Sequence, residues 1–408
     1  MKRRVEDLAL LGGPPAFSDP IHVGRPNIGD RRALLRRIDD IIDRRWLTND
    51  GDYVRSFEQR LRELLRVDHC VCFCNGTMAL EILVRAAALT GEVIVPAFTF
   101  VATAHALRWQ RIEPVFCDVD LATHNLDPQR VEELITPRTS AILGVHLWGR
   151  PCDRDALASI ARRHGLRLFF DAAQAFGCSY KGQMVGGLAD AEVFSFHATK
   201  VLNTFEGGAV ATRDADLAKR LRLMRNFGFA GYDSVVELGT NGKMTEVAAA
   251  MGLTGLESLE KFVAVNRRNH RRYQDQLGGL PGVTLGGYPV AERANYQYVI
   301  VEVDEAVVGV GRDEIVQALH AENVLARRYF YPGCHRMEPY RSGAARMGRL
   351  VNTELLCERV VALPTGMAVG APEIDVICGL VRLLVENGPE VAQRLRHGRG
   401  TLGPGDLS

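Results

Sequence analysis

No stretch of this chain approaches the roughly 20 consecutive apolar residues that a membrane helix needs, so no membrane partner is expected. The opening run MKRRVEDLALLGGPPAF is basic, but its apolar part is too short and too interrupted for a secretory signal, which points to a cytoplasmic protein. Net charge is almost absent: 50 Lys and Arg against 49 Asp and Glu leave +1. That balance gives no reason to expect nucleic acid or an anionic bilayer, although a local basic patch can still hold a phosphorylated ligand. A disulfide framework is missing too, because the nine cysteines are odd in number and scattered, as reduced thiols are. Cys70, Cys72 and Cys74 alternate in HCVCFCNG beside His69, but period 2 puts the three thiols on one strand face, where they read as core packing and not as metal ligands. Internal repeats and low-complexity tracts are likewise absent.

What the chain does have is length and apolar content: 408 residues, 47% hydrophobic, enough for a large core and two units. Short apolar runs alternate with amphipathic stretches of helical length, the pattern of an α/β fold with a mostly parallel central sheet flanked by helices. Strands are expected at Val71 to Cys74, Val93 to Val95, Pro114 to Asp118, Ala141 to His146, Leu166 to Phe170, Val193 to Phe196 and Ala209 to Thr212. Helices are expected at Phe57 to Leu65, Thr77 to Ala88, Pro128 to Ile135 and Arg154 to His164. Beyond Leu259 a charged helix, Glu260 to Leu277, leads into a smaller α+β unit with a strand at Tyr296 to Val303 and helices at Asp313 to Glu322 and Ile374 to Glu386. The expected organisation is a leader (1–20), a large domain (21–259), a linker helix with a small C-terminal domain (260–397), and a glycine-rich disordered tail (398–408).

Residues that carry chemistry fall at the ends of these strands in one order. Asn75-Gly76-Thr77 stands where a strand hands over to a helix, so first-turn amides and the Thr77 hydroxyl can face a phosphate; the tripeptide also reads as an ordinary cap by Thr77. Asp171 closes the apolar strand LRLFFD at the carboxyl edge of the sheet, where such folds place ligands, and Gln174 follows. Lys200 ends SFHATK after another strand, with the Ser195 and Thr199 hydroxyls near it, and FEGGAV turns tightly back into the sheet. Phe98 and Phe100, in VPAFTFVATA, can stack on a planar ligand or pack in the core. A lone lysine is more often a surface residue. A buried lysine that forms a Schiff base with an aldehyde, together with a carboxylate opposite a ring nitrogen, is what pyridoxal phosphate chemistry requires, and the order of these elements reads as such a site.

The blocks NGTMAL, VPAFTFVATAHA, FDAAQAFG, SFHATKVLNTFEGGAV, RNFGF and GTNGKMTEVAAAMGL resemble the successive blocks of the DegT/DnrJ/EryC1/StrS sugar aminotransferases, a branch of the fold type I pyridoxal phosphate enzymes, over about Val23 to Tyr340. The resemblance implies that Lys200 bonds the cofactor and later shuttles protons, that Asp171 pairs with the pyridine nitrogen, and that Gln174 touches the ring hydroxyl. It implies phosphate binding by Gly76, Thr77 and Ser195 and ring stacking by Phe100. Asn241 aligns with an asparagine that family members reach across a dimer interface toward the phosphate, which implies a homodimer with shared active sites. Relatives with histidine in place of the lysine act as dehydratases; lysine stands here, and His197 lies three residues early. Gly242-Lys243 departs from the aromatic and arginine of many relatives, so Lys243 is either a contact to a substrate phosphate or a surface charge.

The leader HVGRPNIGDR, RRWLTNDG and the HATKVLNTFEGG block look most like enzymes that transfer nitrogen from L-glutamate to C4 of a nucleotide-linked 4-keto-6-deoxyhexose, with dTDP-4-keto-6-deoxyglucose the expected substrate, in deoxyaminosugar biosynthesis for a secondary metabolite such as an antibiotic. Tyr329, Tyr331, His335 and Arg336, in ARRYFYPGCHRMEPYR, either line the nucleotide-sugar pocket or pack between the units. A 3-keto sugar or keto-cyclitol aminotransferase would share every cofactor residue. A noncatalytic pyridoxal phosphate-binding regulator would call for a DNA-binding segment, and the sequence displays none.

Overall fold

The structure is a computed structural model that describes residues 2–342 and 345–398. Seven strands form the principal sheet: β1 (His69–Phe73), β2 (Glu92–Pro96), β3 (Glu113–Cys117), β4 (Thr139–Val145), β5 (Arg167–Asp171), β6 (Ala191–Ser195) and β7 (Gly208–Thr212). Their spatial order is β1-β7-β6-β5-β4-β2-β3, and β7 alone runs antiparallel to its neighbours. The return from β6 to β7 is a short irregular loop, with no crossover helix of the kind that a parallel partner needs.

Alternation along the strands feeds two apolar layers. Val93 and Val95 point to one and Ile94 to the other; Cys70 and Cys72 share the second layer, while Cys74 lies past the strand end and is half-buried. The helices Gly76–Ala86, Ala102–Trp109, Arg154–His164 and Ala215–Met224 cover the sheet. Local chemistry fixes their ends. Asp153 accepts the Ala156 N–H at one N-terminus, and Gly165, at φ 65°, closes the same helix in the left-handed region.

The helix Leu259–Leu277 carries Tyr273 and Leu277 into a second core, built on an antiparallel sheet of β8 (Val283–Leu285), β9 (Val299–Val303) and β10 (Val360–Leu363). Arg312–Ala321 and Ala371–Glu386 complete that core. The first twenty residues differ from the expected separate leader. Val5 and Leu8 are buried in the second core, and the buried Glu322 carboxylate accepts bonds from Lys2 (2.7 Å), the Ala9 N–H (2.7 Å) and the Ala16 N–H (2.8 Å). Of the tail, Gly398 ends a helix and 399–408 lie outside the described residues. No helix among the described residues is long and apolar enough to cross a membrane.

Candidate active site

A cavity of about 730 Å³ opens at the carboxyl edge of the principal sheet, against the second unit. Gly76, Thr77, Phe100, Asp171, Gln174, Ser195 and Lys200 line it from the sheet side, and Tyr298, Arg327 and Tyr329 from the other. Parallel β5 and β6 bring their last residues, Asp171 and Ser195, to one edge, and the loop after β6 returns Lys200 to it.

Asp171 is 6% exposed and carries two donors: the Ala173 N–H to Oδ1 at 3.0 Å and the Thr103 hydroxyl to Oδ2 at 2.9 Å. Burial raises its pKa, while those two bonds and the positive Lys200 oppose the rise. Burial also lowers the pKa of Lys200, and Asp171 works against that shift. The Lys200 amine has one hydrogen-bond partner among the described residues, the Tyr298 hydroxyl at 3.4 Å. An amine with so little holding it, opposite a supported carboxylate, is free to react with a ligand between them.

The helix Gly76–Ala86 points its N-terminus at the same space. Asn75, not Thr77, caps it, accepting the Met78 N–H at 2.8 Å, so the exposed Thr77 hydroxyl is left for a ligand. A Cβ on Gly76 would come 3.1 Å from Cβ of Ser195, and one on Gly208 would lie 2.7 Å from the Asn75 carbonyl, so both glycines permit close backbone approach. Gln174 accepts the Trp148 N–H at 2.7 Å through Oε1, which turns its amide nitrogen into the donor left for the cavity. Phe100 is 60% exposed and faces the cavity, whereas Phe98 is buried against Trp148 and Phe330. An enclosed amine, a supported carboxylate, a helix end beside a serine and an open aromatic ring match the aldehyde, pyridine nitrogen, phosphate and ring face of pyridoxal phosphate.

Five residues expected at the site stand elsewhere in the single chain. Asn241 is exposed and bridges to Asn226. The Lys243 ammonium lies over the Phe227 ring at 4.8 Å. Tyr331 packs between the Arg312 and Arg328 guanidinia at 5.4 and 4.8 Å. His335 is 5% exposed, and Arg336 pairs with Glu354 at 2.9 Å. Of the C-terminal cluster, therefore, only Tyr329 lines the cavity; the other three serve packing and ion pairing inside the second unit. Thr103, Tyr298 and Arg327 escaped sequence reading. Thr103 and Arg327 lie within the quoted VATAHA and ARRYFYPGCHRMEPYR blocks, so both were visible there as candidates, while Tyr298 carries no local signal.

Comparison with known proteins follows the same line. The sequence profile of the DegT/DnrJ/EryC1/StrS aminotransferase family matches residues 30–382. A dTDP-4-amino-4,6-dideoxy-D-glucose transaminase of Shigella dysenteriae is 35% identical over 365 residues, 89% of this chain and 98% of its own length. A GDP-perosamine synthase of Caulobacter vibrioides is 35% identical over 353 residues, 85% of this chain and 94% of its own. The crystal structure of DesI with its TDP-sugar product superposes with a TM-score of 0.93 at 52% identity, covering 96% of this chain and 100% of that one.

Proposed function

The chain belongs to the DegT/DnrJ/EryC1/StrS aminotransferase family and is a pyridoxal phosphate-dependent aminotransferase, and on that footing we propose that it moves an amino group from L-glutamate to the C4 ketone of a nucleotide-linked 4-keto-6-deoxyhexose, with dTDP-4-keto-6-deoxyglucose the substrate. The observation that carries the reading is the Lys200–Asp171 pair facing one cavity, in a chain 52% identical to DesI.

Bound pyridoxal phosphate supplies an aldehyde that bonds amines and a protonated ring that takes up the electron pair left when a carbon loses its proton. Lys200 is the residue that attaches it. Burial lowers the amine's pKa, so more of it is neutral near pH 7 and able first to attack and then to carry a proton at the substrate carbon. Asp171 would pair with the cofactor's ring nitrogen, and the Thr103 and Ala173 donors keep its charge in place. Gly76, Thr77 and Ser195 would hold the phosphate through amides and hydroxyls at the helix N-terminus. Gln174 would donate its free amide to the ring hydroxyl, and Phe100 would cover a ring face.

Asn241 has no place in its own chain's cavity, which fits its assignment to the site of a second copy in a homodimer. The test gives the protein glutamate alone and then the nucleotide sugar: one 2-oxoglutarate per cofactor is expected in the first step and an aminated sugar in the second. Release of 2-oxoglutarate without amination of any 4-keto sugar favours the 3-keto sugar and keto-cyclitol readings.

A further inference from the structure

One short segment of the second unit, 295–298, holds the first unit at the site through three of its side chains. Asn295, fully buried, donates to the carbonyls of Gln174 (2.8 Å) and Phe176 (3.1 Å), beneath the Asp171 strand end. Gln297 donates to the Thr199 carbonyl at 2.6 Å, one residue before Lys200. Tyr298 takes the Lys200 amine itself, at 3.4 Å.

The segment is fixed from behind. Asn266 donates to the Asn295 carbonyl at 3.1 Å, and Tyr296 sits at φ 51°, in the left-handed region that a non-glycine residue adopts only under constraint. The Tyr288 hydroxyl lies 3.0 Å from the carbonyls of both Trp148 and Tyr298. The Tyr298 ring packs edge-on to Trp148 at 5.4 Å. Its hydroxyl is therefore held in place while the flexible lysine stem is not.

We propose that Tyr298 is a positioning residue for Lys200: its phenol oxygen accepts the amine's N–H whenever the amine is not bonded to cofactor, and keeps the nitrogen aimed into the cavity at the substrate carbon. This rests on the reading of Lys200 given above. With cofactor bound, Lys200 would be the group that carries the proton at the substrate carbon; Tyr298 gains and loses none. Burial holds the phenol well above its usual range, so it serves as an acceptor and not as a base.

Tyr298→Phe keeps the ring against Trp148 and removes only the oxygen, so a role limited to packing survives it. Two readouts are needed. In the full-length chain freed of cofactor, pH-dependent acylation of Lys200 followed by mass spectrometry reports the amine's midpoint. Loss of the acceptor disfavours the ammonium form and moves that midpoint down by about half a unit to one unit. In the loaded enzyme, kcat falls about tenfold while KM for the nucleotide sugar stays within about twofold. Both changes are required, and the absence of either overturns the role of Tyr298. Cofactor must also protect Lys200 from acylation in the wild type; failure there overturns the reading of Lys200 itself. Should the phenylalanine chain not fold, 3-fluorotyrosine at position 298, a weaker acceptor of the same shape, is expected to shift both readouts in the same directions.

Discussion

At the residue scale, the groups that suit the chemistry are costly to fold. Burial lowers the pKa of Lys200 below its ordinary value, so between the lowered value and about 10.5 the unfolded chain binds more protons and stability rises with pH. Lys200→Met is accordingly expected to melt above the wild type at pH 7 without cofactor, with the gap closing as pH nears about 10.5. Asp171 runs the other way. Its pKa lies above 3.8, so the folded chain binds more protons just above that value and loses stability as pH rises through its own, which makes Asp171→Asn stabilising at pH 7. Thermal melts of the cofactor-free chains across pH check both signs. Lys200→Ala is expected to lose the bound cofactor's absorbance band and turnover together. Asp171 and Lys200 were legible because one closes an apolar strand and the other stands in the short loop after the next, a signal contained in a few neighbouring residues. Tyr298 was not, since its partner is 98 positions away and no local pattern encodes that contact. Tyr331, His335 and Arg336 show the reverse: their composition suits a pocket, and only packing places them outside it.

At the element scale, one helix draws its support from two places far along the chain. The helix Asp52–Leu65 follows Gly51, which has no capping side chain, and the Glu246 carboxylate caps it instead, accepting the N–H groups of Tyr53 (2.9 Å) and Val54 (3.2 Å). Glu246→Ala is expected to destabilise by about 1–3 kcal/mol in urea titrations, with a loss under about 0.5 kcal/mol contradicting this account. Arg225, of the RNFGF block, bonds Glu58 (2.5 Å), the Cys72 carbonyl (2.9 Å) and Asp50 (2.8 Å) beside β1. Arg225→Ala leaves the buried Glu58 with only the longer Arg222 contact, at 3.6 Å, at a cost of about 3–5 kcal/mol by the same titration. Strands of the principal sheet were legible to within a residue or two because their apolar runs are unbroken. The helices Arg31–Arg44, Ala102–Trp109, Ala215–Met224 and Glu246–Glu257 went unread; Glu246–Glu257, for example, is buried nearly all round and offers no amphipathic stripe.

At the scale of the whole molecule, the two units meet over one cavity. If Asn241 completes the partner's site, Lys200→Ala and Asn241→Ala chains mixed and allowed to exchange regain about a quarter of wild-type activity, since half the dimers then hold one intact site. Unchanged, additive activity of the mixture contradicts a shared site. The fold was legible from alternation and helix spacing, but the substrate was not, because one scaffold serves many ketones and the pocket walls come from distant segments. The direct measurement is a reaction of the purified protein with pyridoxal phosphate, L-glutamate and dTDP-4-keto-6-deoxyglucose, with the product identified by mass and the amine's position by NMR. A 4-amino-4,6-dideoxy sugar is the result this account predicts; glutamate consumed with the 4-keto sugar returned unaminated would contradict it.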